Sequence, residues 1–112
     1  MKRRIYDNEL HVHFVTSSCY HRRRLFDHDR CKKIVIGILG SQLAQQEAIC
    51  VGFVVMPDHV HALVWFSQPG QLSHFMKQWK QRSSVQIKKT MQSSLDQYSR
   101  RMSLSDPIWQ PR

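Results

Sequence analysis

The chain has 112 residues and 41% hydrophobic content, which suits a single domain with a sizeable core. Its formal net charge of +9 favours a polyanionic partner, first nucleic acid, then an anionic membrane surface, with a merely solvated basic face as the third explanation. The three cysteines are widely spaced with no CxxC, so neither a disulfide framework nor a zinc knuckle is indicated. No stretch approaches the roughly 20 apolar residues of a membrane span, and the sequence predicts a soluble, cytoplasmic protein with no membrane partner.

The first predicted element is a half-buried strand. Side chains alternate between two faces from Leu10 to Thr16, with Val12, Phe14 and Thr16 on one and His11, His13 and Val15 on the other, which is the period of a half-buried strand. His11 and His13 point to the same side of it. They either line the sheet face that holds a second histidine pair further along the chain, or they meet solvent.

An arginine-rich loop follows this strand. Arg22, Arg23 and Arg24 are consecutive in the sequence, and three neighbouring side chains cannot all face one way. Arginine offers a planar, bidentate fork to anionic oxygens, so we interpret the three as DNA-binding residues that contact phosphates. A solvated charge run is the alternative.

Two helices are predicted from apolar residues spaced three and four apart. The first runs from a cap at Asp27 or Asp29 to about Gln46, and the second from Gln71 to about Ser94. The second helix buries Leu72, Phe75, Met76, Trp79, Ile87 and Met91, and its polar side carries the candidate DNA-binding residues Lys77, Lys80 and Arg82. These cations either contact a nucleic-acid backbone or are solvated.

Between the helices lies a predicted pair of strands. Residues 48–56 are nearly all apolar and rich in β-branched side chains, which predicts a central strand buried on both faces. Pro57-Asp58 turns the chain, and the strand that follows is close enough to pair with it as an antiparallel hairpin.

The second of these strands begins with the most informative pattern in the chain. His59 and His61 are separated by one residue, so on a strand they share one face while Val60, Ala62 and Val64 share the other. Two neighbouring imidazoles can hold one divalent metal ion. The alternative is a pair of half-exposed strand histidines without a ligand.

The order of elements predicts the fold class. Strand, helix, strand, strand and helix, with a further piece at the end, is the ferredoxin-like βαββα(β) plan of the α+β class. We expect residues 1–112 to form one domain, with an antiparallel sheet, helices on one face, and an incomplete last strand.

With this order of elements in view, several motifs together resemble the REP-associated tyrosine transposases of the HUH superfamily of single-strand DNA endonucleases. HUH stands for histidine, hydrophobic residue, histidine. The resemblance covers essentially the whole chain. It is carried by Leu10–Phe14 and the arginine-rich loop with Leu25-Phe26, by the run VVMPDHVHALV at 54–64, by Leu72-Ser73 opening the helix with Lys80, and by the closing Ile108-Trp109-Gln110-Pro111-Arg112.

The resemblance implies a site and a reaction. In such proteins the two histidines, here His59 and His61, bind Mg²⁺ or Mn²⁺ at a scissile phosphate of single-stranded DNA, often beside a hairpin. A tyrosine attacks that phosphate and forms a phosphotyrosine link, from which the strand is rejoined. The family tyrosine lies beyond Arg112, and none of Tyr6, Tyr20 and Tyr98 stands where the pattern places it.

Because no tyrosine stands at the expected position, the sequence is consistent with three hypotheses. The chain is a C-terminally truncated transposase, active in cleavage only in a longer form; or a non-catalytic, basic nucleic-acid-binding module; or an inactive transposase remnant. In the remnant, apolar sheet surface exposed by the lost elements would favour a homodimer or aggregation.

Overall fold

The structure, a computed structural model, describes residues 12–94 and 106–111. The expectations for His11, Tyr6 and Tyr98 lie outside these residues. The regular elements, in chain order, are β1 (His13–Ser18), α1 (Asp29–Gln45), β2 (Ile49–Met56), β3 (His59–Trp65) and α2 (Gln71–Ser94).

The three strands form one antiparallel sheet in the order β1-β3-β2. The predicted hairpin and the ferredoxin-like order of elements are confirmed. The predicted position of β2 is wrong: among the described residues β2 is an edge strand, and β3 is the central one. Val51 and Val54 are exposed on it, and a register shift between Cys50 and Gly52 leaves Val51 out of the ladder.

The core lies between one face of the sheet and the two helices. Val60, Ala62 and Val64 alternate along β3 and are buried in the same cluster as the apolar stripes of α1 and α2. The second helix has the predicted bounds, and its buried side is formed as predicted by Phe75, Trp79, Ile87 and Met91, with Leu72 and Met76 packed beside them. Both helices therefore cover one face, and the other face of the sheet is open among the described residues.

The segment 106–111 lies against the end of β1. The Gln110 amide donates to the Ser18 carbonyl at 2.8 Å, and the Tyr20 amide donates to the Ile108 carbonyl at 2.9 Å. These bonds flank an antiparallel bridge between Cys19 and Trp109. The described part of this segment thus forms a single antiparallel bridge beside the end of β1.

The first helix begins as predicted, but with a different cap. The Arg30 amide donates to Nδ1 of His28 at 3.3 Å, so His28 caps the helix in place of an aspartate. Asp27 is engaged elsewhere, because its carboxylate accepts from Nε of Arg24 at 2.8 Å. Neither helix in the described ranges is long and apolar enough to cross a bilayer.

The three cysteines are free, and Cys19 and Cys31 are buried. Burial raises the pKa of Cys19 to about 12 and that of Cys31 to about 11. Because a thiol reacts as its thiolate, both side chains are inert at neutral pH.

Candidate functional site

His59 and His61 lie side by side on the open face of β3. Both rings are half-buried, while the residues between and after them face the core. The ring centroids are 4.6 Å apart and the planes are inclined at 74°. The predicted sharing of one face by the two imidazoles is confirmed, and their burial against the helix layer is excluded.

The orientation of His59 is fixed by the residue before it. Nδ1 of His59 lies 2.7 Å from Oδ1 of Asp58, and the other oxygen of that carboxylate accepts from Nε of Arg22 at 2.8 Å. The hydrogen bond to His59, followed by the one from Arg22, holds the pKa of Asp58 below its usual value. When Nδ1–H of the neutral ring donates to this carboxylate, the Nε2 lone pair of His59 is left for a ligand.

His61 is held by two residues of β1. Its Nδ1 lies 2.9 Å from Oγ1 of Thr16, and its ring stacks on Phe14 with centroids 5.3 Å apart and planes at 22°. When Nδ1–H donates to the threonine oxygen, Nε2 of this ring is also the ligating nitrogen. No described residue bonds to Nε2 of either histidine.

The donors present fit part of a metal coordination shell. Two neutral imidazoles with engaged Nδ1 atoms suit two positions around a divalent ion. Within residues 12–94 and 106–111 no group of three His, Cys, Asp or Glu side chains comes together. Hard ions such as Mg²⁺ and Mn²⁺ prefer oxygen ligands, so water and phosphate oxygens suit the remaining positions.

His13 is not part of this site. It lies on the helix-facing side of β1, where it is buried, and its ring centroid is 6.1 Å from that of Phe66. Both expectations for this residue, the shared histidine face and the contact with solvent, are therefore wrong. The alternation of β1 is visible in the sequence, but which face of the strand is buried depends on helices that are distant in sequence.

The arginine-rich loop brings one of its three arginines to the histidine pair. Arg22 contacts Asp58, and its side chain is 65% exposed. Arg23 donates to the carbonyls of Tyr20 and Pro107 at 3.0 and 2.6 Å, and Arg24 pairs with Asp27. Arg22 is thus the cation next to the candidate site, and Arg23 serves to fix the loop.

This loop has a strained turn that the sequence does not reveal. His21 and Arg22 are consecutive non-glycine residues in the left-handed region, with φ of 53° and 54°, a conformation that costs roughly 1–2 kcal/mol per residue. Bonds from the Arg22 amide to Cys19 and from the His21 amide to Gln110 stabilise it. The turn sets Arg22 against Asp58 and belongs to the class of strained backbone that is frequent at functional sites.

The candidate DNA-binding residues of α2 lie away from the histidines. Lys77 and Arg82 are exposed and Lys80 is half-buried, and all three belong to the helix layer, on the other side of the sheet from the imidazoles. The structure therefore separates the predicted cations into Arg22, beside the histidine pair, and a basic surface on α2.

Comparisons with known proteins bear on this arrangement. Residues 6–111 match a family model described as IS200-like transposase. A candidate transposase from Deinococcus radiodurans R1 has a similar structure, with a TM-score of 0.71, 19% identity, and coverage of 100% of this chain and 82% of that one. A REP-associated tyrosine transposase bound to a REP hairpin gives a TM-score of 0.68 at 16% identity; this chain is covered completely but spans only 58% of that one. No curated protein sequence matches the chain.

Proposed function

The chain belongs to the IS200-like transposase family, and from this premise we propose that it binds single-stranded DNA, with a hairpin as the recognised form, and presents one phosphate to a divalent ion held by His59 and His61. The observation that carries the proposal is the pair of imidazoles on the open sheet face, each oriented through Nδ1. The structural similarity to a hairpin-bound transposase supports the choice of DNA form.

The residues around the pair orient it. Asp58 keeps the proton of His59 on Nδ1, Thr16 and Phe14 hold the ring of His61, and Arg22 keeps Asp58 ionised while offering its exposed side to a neighbouring phosphate. A bound Mg²⁺ or Mn²⁺ would act as a Lewis acid on the phosphate. The chain would position the ion and supply the neutral ligand nitrogens that metal binding requires.

Cleavage and rejoining need a nucleophile in addition to this site. The family resemblance assigns that role to a tyrosine, which would attack the phosphate and leave a phosphotyrosine link and a free 3′-hydroxyl. We therefore propose metal-dependent DNA binding as the activity of these residues, and transposition-type cleavage as the activity of the site together with such a tyrosine.

The basic surface of α2 has a different role in this proposal. Lys77, Lys80 and Arg82 contact phosphates of the same DNA away from the histidine pair. Their contribution is electrostatic and independent of sequence, as phosphate contacts generally are. The net charge of +9 supports this assignment.

The test compares DNA binding with and without metal. A fluorescent single-stranded hairpin is titrated with the chain in Mn²⁺ and in EDTA, and affinity is read by anisotropy. We expect Mn²⁺ to tighten binding, and we expect His59→Ala and His61→Ala to remove that increment while leaving the affinity in EDTA unchanged. His74→Ala, which removes an exposed histidine on α2, is the matched control and should behave as the wild type.

A non-catalytic nucleic-acid-binding module remains the second candidate, favoured by the presence of only two candidate ligands among the described residues. It predicts equal affinity in Mn²⁺ and EDTA and no effect of the histidine variants. That outcome would contradict the metal site while leaving DNA binding intact.

A further inference from the structure

The open sheet face around the histidines is unusually apolar. Side chains directly opposite in neighbouring strands share a face, so the register gives three rows across the sheet. They are Phe14, Leu63 and Gly52; Thr16, His61 and Val54; and Ser18, His59 and Met56. The large hydrophobic residues of these rows are exposed: Phe14, Leu63, Val54 and Met56. Contiguous exposed apolar surface of this kind marks an interaction site.

Phe14 stands out within this face. It is 66% exposed, yet its ring is held by the stack on His61. It lies one row from the histidine pair, and two residues along a strand span about 6.6 Å. An exposed aromatic ring is therefore fixed beside the proposed position of the phosphate, within reach of the base of a neighbouring nucleotide.

The chemistry of the surroundings favours a nucleobase as the occupant. A base has a flat, apolar π-face that stacks on an exposed aromatic ring, and its phosphates suit a chain with a net charge of +9. Antiparallel sheets with helices on one face bind single-stranded nucleic acid in this way elsewhere, through aromatic residues on the open face. A second copy of this basic chain would bring like charges together.

We propose that Phe14 is a base-stacking residue: the base of the nucleotide next to the phosphate held at His59 and His61 stacks on its ring, with Leu63 extending the platform. This inference rests on the proposed function. It assigns a subsite for an unpaired base and explains why the open face needs single-stranded DNA, since a base in a duplex cannot offer its face. The contact is tolerant of base identity and insensitive to salt.

The experiment uses hairpin oligonucleotides with 2-aminopurine at successive single-stranded positions, whose fluorescence is quenched by stacking. We expect quenching at one position with the wild type and its loss with Phe14→Ala. We also expect Phe14→Ala to weaken binding by about 5- to 150-fold, by the same factor at low and high salt, and Phe14→Tyr to restore most of the affinity and the quenching.

Two variants keep the test specific. Phe53→Ala removes another exposed sheet phenylalanine, 46% exposed, which pairs with Ala62 and so faces the helix side; it should leave affinity and quenching unchanged. Phe14→Leu keeps an apolar side chain without a π-face and should resemble Phe14→Ala in quenching. If Phe14→Ala fails to fold, Phe14→Leu provides the test of stacking in its place.

The outcomes separate this inference from the proposed function. If the wild type does not bind the hairpin at all, the proposed function fails. If it binds and Phe14→Ala binds equally well with unaltered quenching, the stacking role is wrong and the function stands. If Phe14→Ala instead converts a dimer to a monomer in analytical ultracentrifugation with DNA binding unchanged, the face is an interface between copies, and the base-stacking proposal is overturned.

Discussion

Asp58 joins the arginine loop to the histidine pair. One carboxylate oxygen accepts from Arg22 and the other from His59, so a single side chain links the strained turn to the orientation of an imidazole. Partners of this kind fix the tautomer and the ring position of metal-binding histidines and raise their basicity.

Replacing this carboxylate tests its role at the residue scale. Asp58→Asn keeps the shape but loses the charge, and we expect Mn²⁺ affinity to fall by about 10- to 100-fold, the usual range for such partners. Isothermal titration calorimetry of the DNA-free chain with Mn²⁺ measures this affinity. Asp27→Asn, which breaks an exposed ion pair with Arg24, is the control, and an equal effect of both changes would contradict the orienting role.

At the scale of elements, Trp109 packs segment 106–111 against the helix layer, and Ile108 of the same segment is also buried in the core. Trp109 packs between Phe26 and Trp79, with ring centroids 5.6 and 5.4 Å away. Its Nε1–H donates to Oγ of Ser83 at 2.9 Å, and that hydroxyl donates in turn to the carbonyl of Trp79 at 2.6 Å. The serine thus satisfies a buried indole that would otherwise have no acceptor.

Removing this hydroxyl should destabilise the fold measurably. Ser83→Ala leaves the Trp109 N–H unpaired in the core, and a buried unsatisfied donor costs about 1–3 kcal/mol of unfolding free energy. Urea denaturation followed by tryptophan fluorescence gives the value. Ser84→Ala, at the next and less buried position of α2, should change stability by less than about 0.5 kcal/mol; similar losses in both variants would argue against a specific bond.

The elements were predictable where the signal is local. The bounds of α2 can be predicted because its apolar face is formed by residues three and four apart in the sequence. The hairpin around Pro57-Asp58 can be predicted because the connection between its two strands is short. The edge position of β2 depends on the order of the strands in the sheet, and the buried side of His13 depends on which face the helices cover. Periodicity alone contains neither piece of information. The left-handed turn at His21 is set by bonds to Cys19 and Gln110, the second of them far along the chain.

On the scale of the whole molecule, the histidine pair and the basic surface of α2 lie in different layers. The imidazoles lie on the open side of the sheet, and the cations of α2 lie in the layer on the opposite side. The sequence supplied both groups of residues, and only the fold separates them. DNA that contacts both must pass around an edge of the sheet.

This separation predicts distinct effects of salt and metal. Replacing Lys77, Lys80 and Arg82 together by glutamine should reduce the slope of log affinity against log salt by about 2, from three lost contacts to single-stranded phosphates. The increment due to Mn²⁺ should be unchanged. Anisotropy titrations at several salt concentrations measure both quantities.

The matched control removes the same charge from the other helix. Arg30, Lys32 and Lys33 of α1 are replaced together by glutamine. If both triple variants change the slope equally, the DNA responds to net charge alone, and the contacts assigned to α2 are wrong.

The strict alternation along β3 places the histidine pair and the core side chains on opposite faces of one strand. Shifting the register of this strand by one residue would move every side chain to the other face of the sheet. The imidazoles would then lie in the hydrophobic core, and the valines would be exposed to water. Such an error in strand alignment therefore removes both the histidine pair from the open face and Val60, Ala62 and Val64 from the core. The two rings can therefore lose their exposed position only together with the burial of the alternating core residues of the same strand.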